Sequence, residues 1–378
     1  MSGSDPLKIF ALIFLGFVSG AQAQEKTTRD GYRDFRWLGR GNAGIAAVND
    51  GLSGFYNPAG IGRNEIYIFN FLDSSFGGNS NIAQGYTAFN AFVGGDGALS
   101  AKLEPLLGVP MGLQGNFFPH VAVPGLVVGF FDYGETQFLY SDPVYPRLNL
   151  YARNDYGGLV GFGTGIADRF YWGLSLRYTR RLYVDEAITS AALLNYSPTY
   201  LSSILRRGNA FGLNGGIQYH QPMGSQQWFG LGLAVEDFGA TTFTNSSRLR
   251  VPSRQEQQIN VGVAYGLNLP LSSLGFYFDV RQMYTQNIDI TKRIHFGMDV
   301  ELVLVDLRAG FNEGYWTAGL TLKVLPLIDI DLVTYGEEIG AMAGQQQNRY
   351  YLVGLKLGMD LKDKKVARRK QRFTLDKF

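Results

Sequence analysis

The chain has 378 residues, a formal net charge of +2 and no cysteine. A charge this close to zero gives no electrostatic case for nucleic-acid binding. The absence of cysteine excludes disulfides, a thiol nucleophile, thiolate metal sites and a lipidated cysteine. The chain carries 49 Gly, 22 Tyr and 27 Phe, yet its mean hydropathy is only −0.05. That combination is too polar for a bundle of membrane helices and is typical of a transmembrane β-barrel, in which half of each strand faces water.

The first residues read as an export signal. Lys8 precedes an apolar run at 9–18, and Ala21-Gln22-Ala23 has the small-residue pattern of a cleavage site. The run is too short to span a bilayer, which takes about 20 apolar residues. We therefore predict a cleavable signal peptide over 1–23, with a mature chain that starts at Gln24.

Residues 24–64 differ from everything after them, because charged residues come first and small residues follow. The small-residue segment contains Gly41, Asn42, Ala43 and Gly44, and Asn57, Pro58 and Ala59 follow it. Pro58 argues against a central strand. A phosphate-binding loop is excluded, since the segment has neither a G-x-G-x-x-G after a strand nor a G-K-[ST] sequence.

The stretch GRGNAGIAAVNDGLSGFYNPAGI at 39–61 resembles the N-terminal signature shared by FadL-type long-chain fatty-acid transporters and PorV-type outer-membrane proteins. A looser similarity to PorV-like chains lies in LRAGFNEGYWTAGL and YGEEIGAMAGQQQNRYYL near the C-terminus. The resemblance implies an outer-membrane barrel of about fourteen strands, with 24–64 folded into the lumen as a plug. It assigns Asn57, Pro58 and Ala59 to that plug, and gives no residue match to a fatty-acid pocket.

From residue 65 to 361 short runs alternate apolar and polar residues, which is the period of a β-strand. The clearest pair lies around Asn312-Glu313-Gly314, where Leu307 and Leu320 belong to the apolar faces of a predicted hairpin. The pattern gives about twelve to sixteen strands, with a tight turn near 302–303. Residues 105–120 contain three prolines and are predicted to be a loop. The glycines at 161, 163 and 165 are interpreted as a bend, with close approach of the plug backbone as the alternative.

The polar faces of these strands carry charges of both signs at their centres, whereas the apolar faces carry almost none. A soluble core would not accept such charges unpaired, but a hydrated lumen would. Only closed barrels and helices satisfy their backbones in lipid, so the fold class is predicted to be all-β, a transmembrane antiparallel barrel. The predicted lumen charges are Arg177, Glu236, Asp279, Arg281, Asp299, Asp306, Arg308 and Lys323.

Candidate sites for chemistry are few. His120, His220 and His295 are far apart in sequence and lack metal-ligand spacing. Asp299 with Glu301, and Glu337 with Glu338, are paired carboxylates, interpreted as lumen residues and as an exposed loop respectively. No serine has a G-x-S-x-G context. We therefore predict that the protein is not an enzyme and that it has no metal site and no cofactor. The basic tail, 362–378, is interpreted as a solvated end, with a dock for an acidic partner as the alternative.

Two functions from different classes remain open. The first is passive uptake of hydrophobic small molecules such as long-chain fatty acids across a Gram-negative outer membrane, with Ile45, Val48, Leu52 and Phe55 as candidate apolar ligand contacts. The second is a PorV-like interaction protein that serves secretion or surface attachment and transports nothing. Expected partners are the lipid bilayer, including lipopolysaccharide, and either a hydrophobic ligand or a secretion-system protein.

Overall fold

The computed structural model describes residues 31–83, 85–86, 103–142, 145, 147–167, 169–189, 192, 203–245, 250–283, 288–340 and 342–362. The predicted signal peptide, residues 24–30 of the predicted plug, and all but the first residue of the basic tail lie outside these residues. Among the helices of the described residues, none is long and apolar enough to cross a membrane.

The described chain forms fifteen strand segments. They are β1 (Ile66–Asn79), β2 (Pro110–Phe117), β3 (His120–Val123), β4 (Leu126–Ser141), β5 (Arg147–Ala167), β6 (Phe170–Thr189), β7 (Arg206–Met223), β8 (Gln227–Glu236), β9 (Gln258–Leu269), β10 (Ser272–Val280), β11 (Ile294–Leu302), β12 (Val305–Asn312), β13 (Tyr315–Leu325), β14 (Ile328–Glu338) and β15 (Gln347–Lys362). Adjacent strands pair antiparallel in chain order, except that β2 and β3 each pair with β1 and β4 and not with each other, and β15 pairs with β1 to close the sheet.

Segments β2 and β3 share one position in the barrel, because both lie between β1 and β4. The barrel therefore has fourteen strand positions, which confirms the predicted fold class. The loop prediction for 105–120 is wrong, since β2 occupies 110–117. The prolines mislead there: Pro110 is the first residue of β2, and Pro119 falls in the break between β2 and β3, where no donor is needed for the ladder.

The two faces of the wall differ as lipid and lumen require. Outward side chains such as Phe130, Val160 and Leu176 are about half exposed, whereas their inward neighbours are buried. An outer band of exposed apolar side chains over closed pairing is the signature of a membrane-spanning barrel. The predicted hairpin forms between β12 and β13, and the predicted tight turn lies between β11 and β12 at 303–304.

The two ends of the barrel have different connections. The long connections 80–109, 190–205, 237–257 and 281–293 all lie at one end, which we call the long-loop end. The other end, the short-turn end, has connections such as 270–271, 303–304 and 326–327. In bacterial barrels the short turns face the periplasm, so we expect the long-loop end to face outward.

Residues 31–64, the N-terminal segment, lie against the inner face of the wall. They contain three short helices, α1 (Phe35–Gly39), α2 (Ser53–Tyr56) and α3 (Ala59–Arg63). Helix α1 contacts β12, β13 and β14, helix α2 contacts β5, β6 and β8, and helix α3 contacts β4 to β7. Asp34 caps α1 by accepting hydrogen bonds from the Arg36 and Trp37 amides, at 2.9 and 3.4 Å. Almost every side chain of the three helices is buried.

Candidate functional site

The Asn57-Pro58-Ala59 motif fixes the N-terminal segment to strands β6 to β8. The Asn57 amide nitrogen donates to the Ile45 carbonyl at 2.9 Å and to the Ile217 carbonyl at 3.3 Å, and its oxygen accepts from the Ala59 amide at 3.1 Å. A buried amide that satisfies both its donor and its acceptor in this way holds one geometry. Pro58 stands at the N-cap of α3, where its missing N–H costs nothing.

Inward-facing side chains of the same strands hold other carbonyls of the segment. Gln218 donates to the Ile45 and Val48 carbonyls at 3.0 and 3.1 Å. Ser175 and Asn214 both donate to the carbonyl of Gly54, at 2.6 and 3.3 Å. Irregular backbone inside a membrane protein needs such partners, because no bulk water is there to replace them.

Glycines on the inward face let the backbone of the segment lie directly on the wall. A Cβ at Gly232 would stand 2.6 Å from the Ile45 carbonyl oxygen and 2.7 Å from the Ala46 Cα, and one at Gly163 would stand 2.9 Å from the Pro58 oxygen. These positions follow one another around the barrel, since Gly163 pairs with Gly173 and Gly232 with Gly262. We call this set the glycine belt: Gly163, Gly173, Gly216, Gly232, Gly262, Gly297, Gly310, Gly319 and Gly354, each in close contact with residues 35–62.

The belt changes the interpretation of the glycines at 161, 163 and 165. Gly163 lies against the backbone of Pro58 and Gly62, so the alternative of close backbone approach describes it, whereas Gly161 lies against the side chain of Ile61. A bend is also present, since the register with β6 shifts between Gly165 and Ala167.

The small-residue segment is held by a further part of the wall, strands β10 to β13. Asp279 accepts from the amides of Gly44 and Ile45 at 2.7 and 3.1 Å, and Thr317 accepts from the Gly41 amide at 2.9 Å. Gly41 has φ +74°, and an added Cβ would collide with the Phe311 and Phe296 backbones. Only glycine combines this backbone conformation with so close a contact. Asn42 is also left-handed, at φ 59°, and Ala43 is fully buried.

The eight candidate lumen charges all lie on inward faces, and each has a partner. Arg177 pairs with Asp237 at 2.7 Å, Arg281 with Glu236 at 3.2 Å, and Asp299 with Arg40 of the segment at 3.0 Å. Towards the short-turn end Lys323 pairs with Asp306 at 2.7 Å, and Arg308 lies 3.6 Å from both Asp306 and Asp331. Asp279 binds backbone amides, as described above. Buried charges require such pairing.

A second set of charges, which the alternation did not single out, surrounds Arg33 near the long-loop end. The Arg33 guanidinium is 3% exposed and pairs with Glu135 at 2.7 Å and with Glu337. The Tyr133 hydroxyl accepts from Arg33 at 2.9 Å and donates to Glu135 at 2.9 Å. Arg153 extends the network, donating to the Gly31 carbonyl at 3.1 Å. The network ties the start of the segment to β4, β5 and β14.

Glu337 and Glu338 correct an expectation. They are not an exposed loop but the last two residues of β14, and both are buried. Glu337 faces the lumen and binds Arg33. Glu338 accepts from the Gly340, Gln345 and Gln346 amides at 2.6 to 2.8 Å and from the Tyr315 hydroxyl at 2.7 Å. Alternation could not separate a strand end from a loop in this polar stretch.

An aromatic cluster lies between the segment and strands β3 to β5. Tyr32 stacks on Phe55 with ring centroids 4.3 Å apart, and Phe118 and Phe131 meet Phe55 edge-on at 5.0 and 5.4 Å. Phe118 sits in the break between β2 and β3, beside Pro119. Ile45, Val48, Leu52 and Phe55 all belong to this buried apolar cluster. The structure thus brings the four candidate ligand contacts into one buried cluster inside the barrel, and Phe55 lies beside the interruption of its wall.

The three histidines each contact the segment or the wall beside it. His295 Nδ1 lies 3.0 Å from the Gly41 carbonyl oxygen, His220 Nδ1 lies 3.0 Å from Arg63, and His120 stacks on Phe118. Burial lowers the pKa of Arg63 to about 10. Among the described residues no group of three or more His, Asp or Glu side chains could hold a metal ion.

Comparison with known proteins adds structural neighbours at low identity. No protein-family model and no curated protein matches the chain. The toluene transporter TbuX of Ralstonia pickettii is 11% identical over 89% of this chain and 99% of its own, with a TM-score of 0.46. The toluene transporter TodX of P. putida is 8% identical over 88% and 99%, with a TM-score of 0.47. A FadL homologue of Pseudomonas aeruginosa is 10% identical over 92% and 99%, with a TM-score of 0.31.

Proposed function

We propose that this barrel is an outer-membrane channel for the passive uptake of hydrophobic small molecules, with residues 24–64 as its plug. The observation that carries the proposal is the aromatic cluster inside the lumen. Binding sites for apolar ligands are lined by apolar and aromatic side chains. Tyr32 and Phe55 supply such a surface from the plug, and Phe118 and Phe131 supply it from the wall.

The route we propose runs from the long-loop end to the aromatic cluster and then out beside Pro119 or past α3. At the break the ladder is weakest, because Pro119 has no N–H to donate. The opposing strand β1 also has a bulge around Phe71, next to the break. A solute reaches the cluster when the plug shifts around Asn57-Pro58-Ala59, so passage requires the plug contacts to loosen.

The finer identity of the solute follows from charge. Arg33 already has two carboxylate partners, so a fatty-acid carboxylate would have to displace Glu135 or Glu337. An uncharged solute faces no such competition. Long-chain fatty acids therefore remain our proposal only in their protonated form, beside uncharged aromatic and aliphatic compounds.

Uptake by intact cells tests the proposal. In a Gram-negative host that lacks its own hydrophobic-compound channels, expression of the protein should speed the entry of toluene and, under acidic conditions that protonate it, of oleic acid, but not of a sugar of similar mass. Phe55→Asp places a charge in the aromatic cluster and should abolish the gain at an equal amount of folded barrel. Phe130→Asp would disturb the lipid face, so the matched control is Phe238→Asp, an exposed position in the connection between β8 and β9. If host cells that express the wild-type protein take up toluene no faster than cells without it, the proposal is refuted.

A second function, protein binding in secretion or surface attachment, is favoured by one observation. The connection between β14 and β15 is held by the four hydrogen bonds to Glu338 and by Lys292, which donates to the Gly340 carbonyl at 2.8 Å. It presents Met342, 51% exposed, at the long-loop end. A loop fixed in this way loses little entropy on binding a partner.

Native mass spectrometry of the protein extracted from its own outer membrane separates the two functions. A bound apolar molecule on the barrel supports uptake, and its mass gives the solute class. A stoichiometric protein partner that is lost in Glu338→Gln, with the barrel otherwise empty, supports the second function. Glu256→Gln, at an exposed carboxylate of the 237–257 connection, is the control for the loss of one charge.

A further inference from the structure

Arg180 and Arg207 lie side by side on the outer face of the wall. In the pairing of β6 with β7, Arg180 stands opposite Asn209 and Arg207 opposite Leu182, so the two arginines are diagonal neighbours. Both are exposed, and each continues the outward row of its own strand, after Tyr178 on β6 and before Phe211 on β7. Arg250, also exposed, adjoins them, because its carbonyl accepts from the Arg207 amide at 3.2 Å.

The arginines stand at a definite level of the barrel. On the same outer face, towards the short-turn end, Tyr178 is one outward position from Arg180 and Phe211 is two from Arg207, and the two rings are in contact with centroids 5.2 Å apart. Both rings are exposed, and Leu176 and Leu213 of the apolar band follow them. Aromatic side chains mark the border between lipid tails and headgroups in such barrels. The arginines therefore lie at headgroup level on the side of the long loops.

No acidic side chain neutralises this patch. Among the described residues neither Arg180, Arg207 nor Arg250 forms an ion pair with a carboxylate. The carboxylates on neighbouring parts of the wall already have partners: Asp132 accepts from Asn154 at 2.6 Å, and Glu186 accepts from Arg206 at 3.1 Å. The Arg180 guanidinium lies beside the Tyr156 ring, 5.9 Å from the ring centroid.

The geometry points to a binding site for the phosphates of lipid A, formed by Arg180 and Arg207 with Arg250 beside them. The long-loop end of an outer-membrane barrel meets the leaflet that carries phosphorylated glycolipid. A guanidinium binds a phosphate through two parallel hydrogen bonds, and two adjacent guanidinium groups match a multiply charged headgroup. The exposed Tyr178 and Phe211 rings lie directly below, where the acyl chains of that lipid begin.

The site is tested by titrating the full-length, detergent-solubilised protein with bisphosphorylated lipid A and counting bound lipid by native mass spectrometry. The double variant Arg180→Gln/Arg207→Gln should bind about tenfold less, since it loses both charge-assisted contacts. The single variant Arg207→Gln should bind lipid A more weakly than the wild type and more tightly than the double variant. The matched control is Arg169→Gln, an exposed arginine in the short turn between β5 and β6, which should bind as the wild type does.

Heat-dependent gel mobility confirms that each variant is a folded barrel before binding is compared. Dephosphorylated lipid A should bind the wild type as weakly as lipid A binds the double variant. Undiminished binding by the double variant would overturn the inference, and so would an equal loss in Arg169→Gln. Equally tight binding of phosphatidylglycerol would also overturn it, because the patch would then be a general site for anionic lipid.

Discussion

At the scale of single residues, the N-terminal segment depends on Arg33. Its side chain is buried between Glu135 of β4 and Glu337 of β14, two strands that are separated in the wall by β15, β1 and β2. Removing one partner of a buried ion pair leaves the others as uncompensated buried charges, at a cost of about 3–5 kcal/mol. Arg33 is therefore the residue whose loss should most weaken the docking of the segment's start.

We expect Arg33→Met to raise the single-channel conductance of the barrel in planar bilayers. A cost of that size changes the ratio of docked to undocked segment by a factor of about 10² to 5 × 10³. The barrel itself should stay folded, because its strand pairing does not involve Arg33. Arg254→Met removes an exposed pair with Glu256 and should leave conductance unchanged. If Arg33→Met conducts like the wild type, the network does not hold the segment.

At the scale of elements, the glycine belt decides how closely the segment lies on the wall. Gly232→Val would push side-chain atoms into the Ile45 carbonyl and the Ala46 Cα, which are backbone groups and cannot rotate away. Overpacking of this kind costs about 1–3 kcal/mol or more. We expect raised conductance and faster proteolysis of residues 31–64. The control is Gly158→Val, because a Cβ at Gly158 has no atom nearer than 3.9 Å.

Deletion of residues 41–59 tests the whole element. This removes the small-residue segment, α2 and the Asn57-Pro58-Ala59 motif, but leaves every barrel strand in place. Because each strand pairs with its neighbours and the sheet closes through β1 and β15, we expect a folded barrel with raised permeability to small solutes. Loss of heat-dependent gel mobility would mean that the barrel needs the segment to fold. Unchanged conductance would mean that the segment does not obstruct the lumen.

At the scale of the whole molecule, the connections between strands are long at one end and short at the other, and this difference predicts the orientation of the barrel in the membrane. The chain contains no cysteine, so single cysteines report their own surroundings. In whole cells a membrane-impermeant maleimide should label Met342→Cys in the β14–β15 connection. It should label Leu271→Cys, 77% exposed in the turn between β9 and β10, only after the outer membrane is permeabilised. The opposite pattern would invert the assignment of the two ends.

The sequence by itself determined the barrel, because strand periodicity is a local property. The alternating residues of a run such as 315–325 are enough to tell which of its faces meets lipid and which meets the lumen. Prediction from the sequence failed where the alternation is interrupted. Glu337 and Glu338 end a strand within a polar stretch, and Pro110 begins one, so alternation and proline misled there.

Only the tertiary structure decided what fills the lumen and what each inward residue contacts. Arg33 meets a carboxylate more than three hundred positions away, and the glycines of the belt are ordinary small residues until closure brings the segment's backbone onto them. Contacts between distant parts of the chain depend on barrel closure and on strand register, and no short segment of the sequence specifies either of them. Alternation along the sequence therefore determined which face of each strand points inward, whereas the closed sheet determined which residues those inward side chains contact.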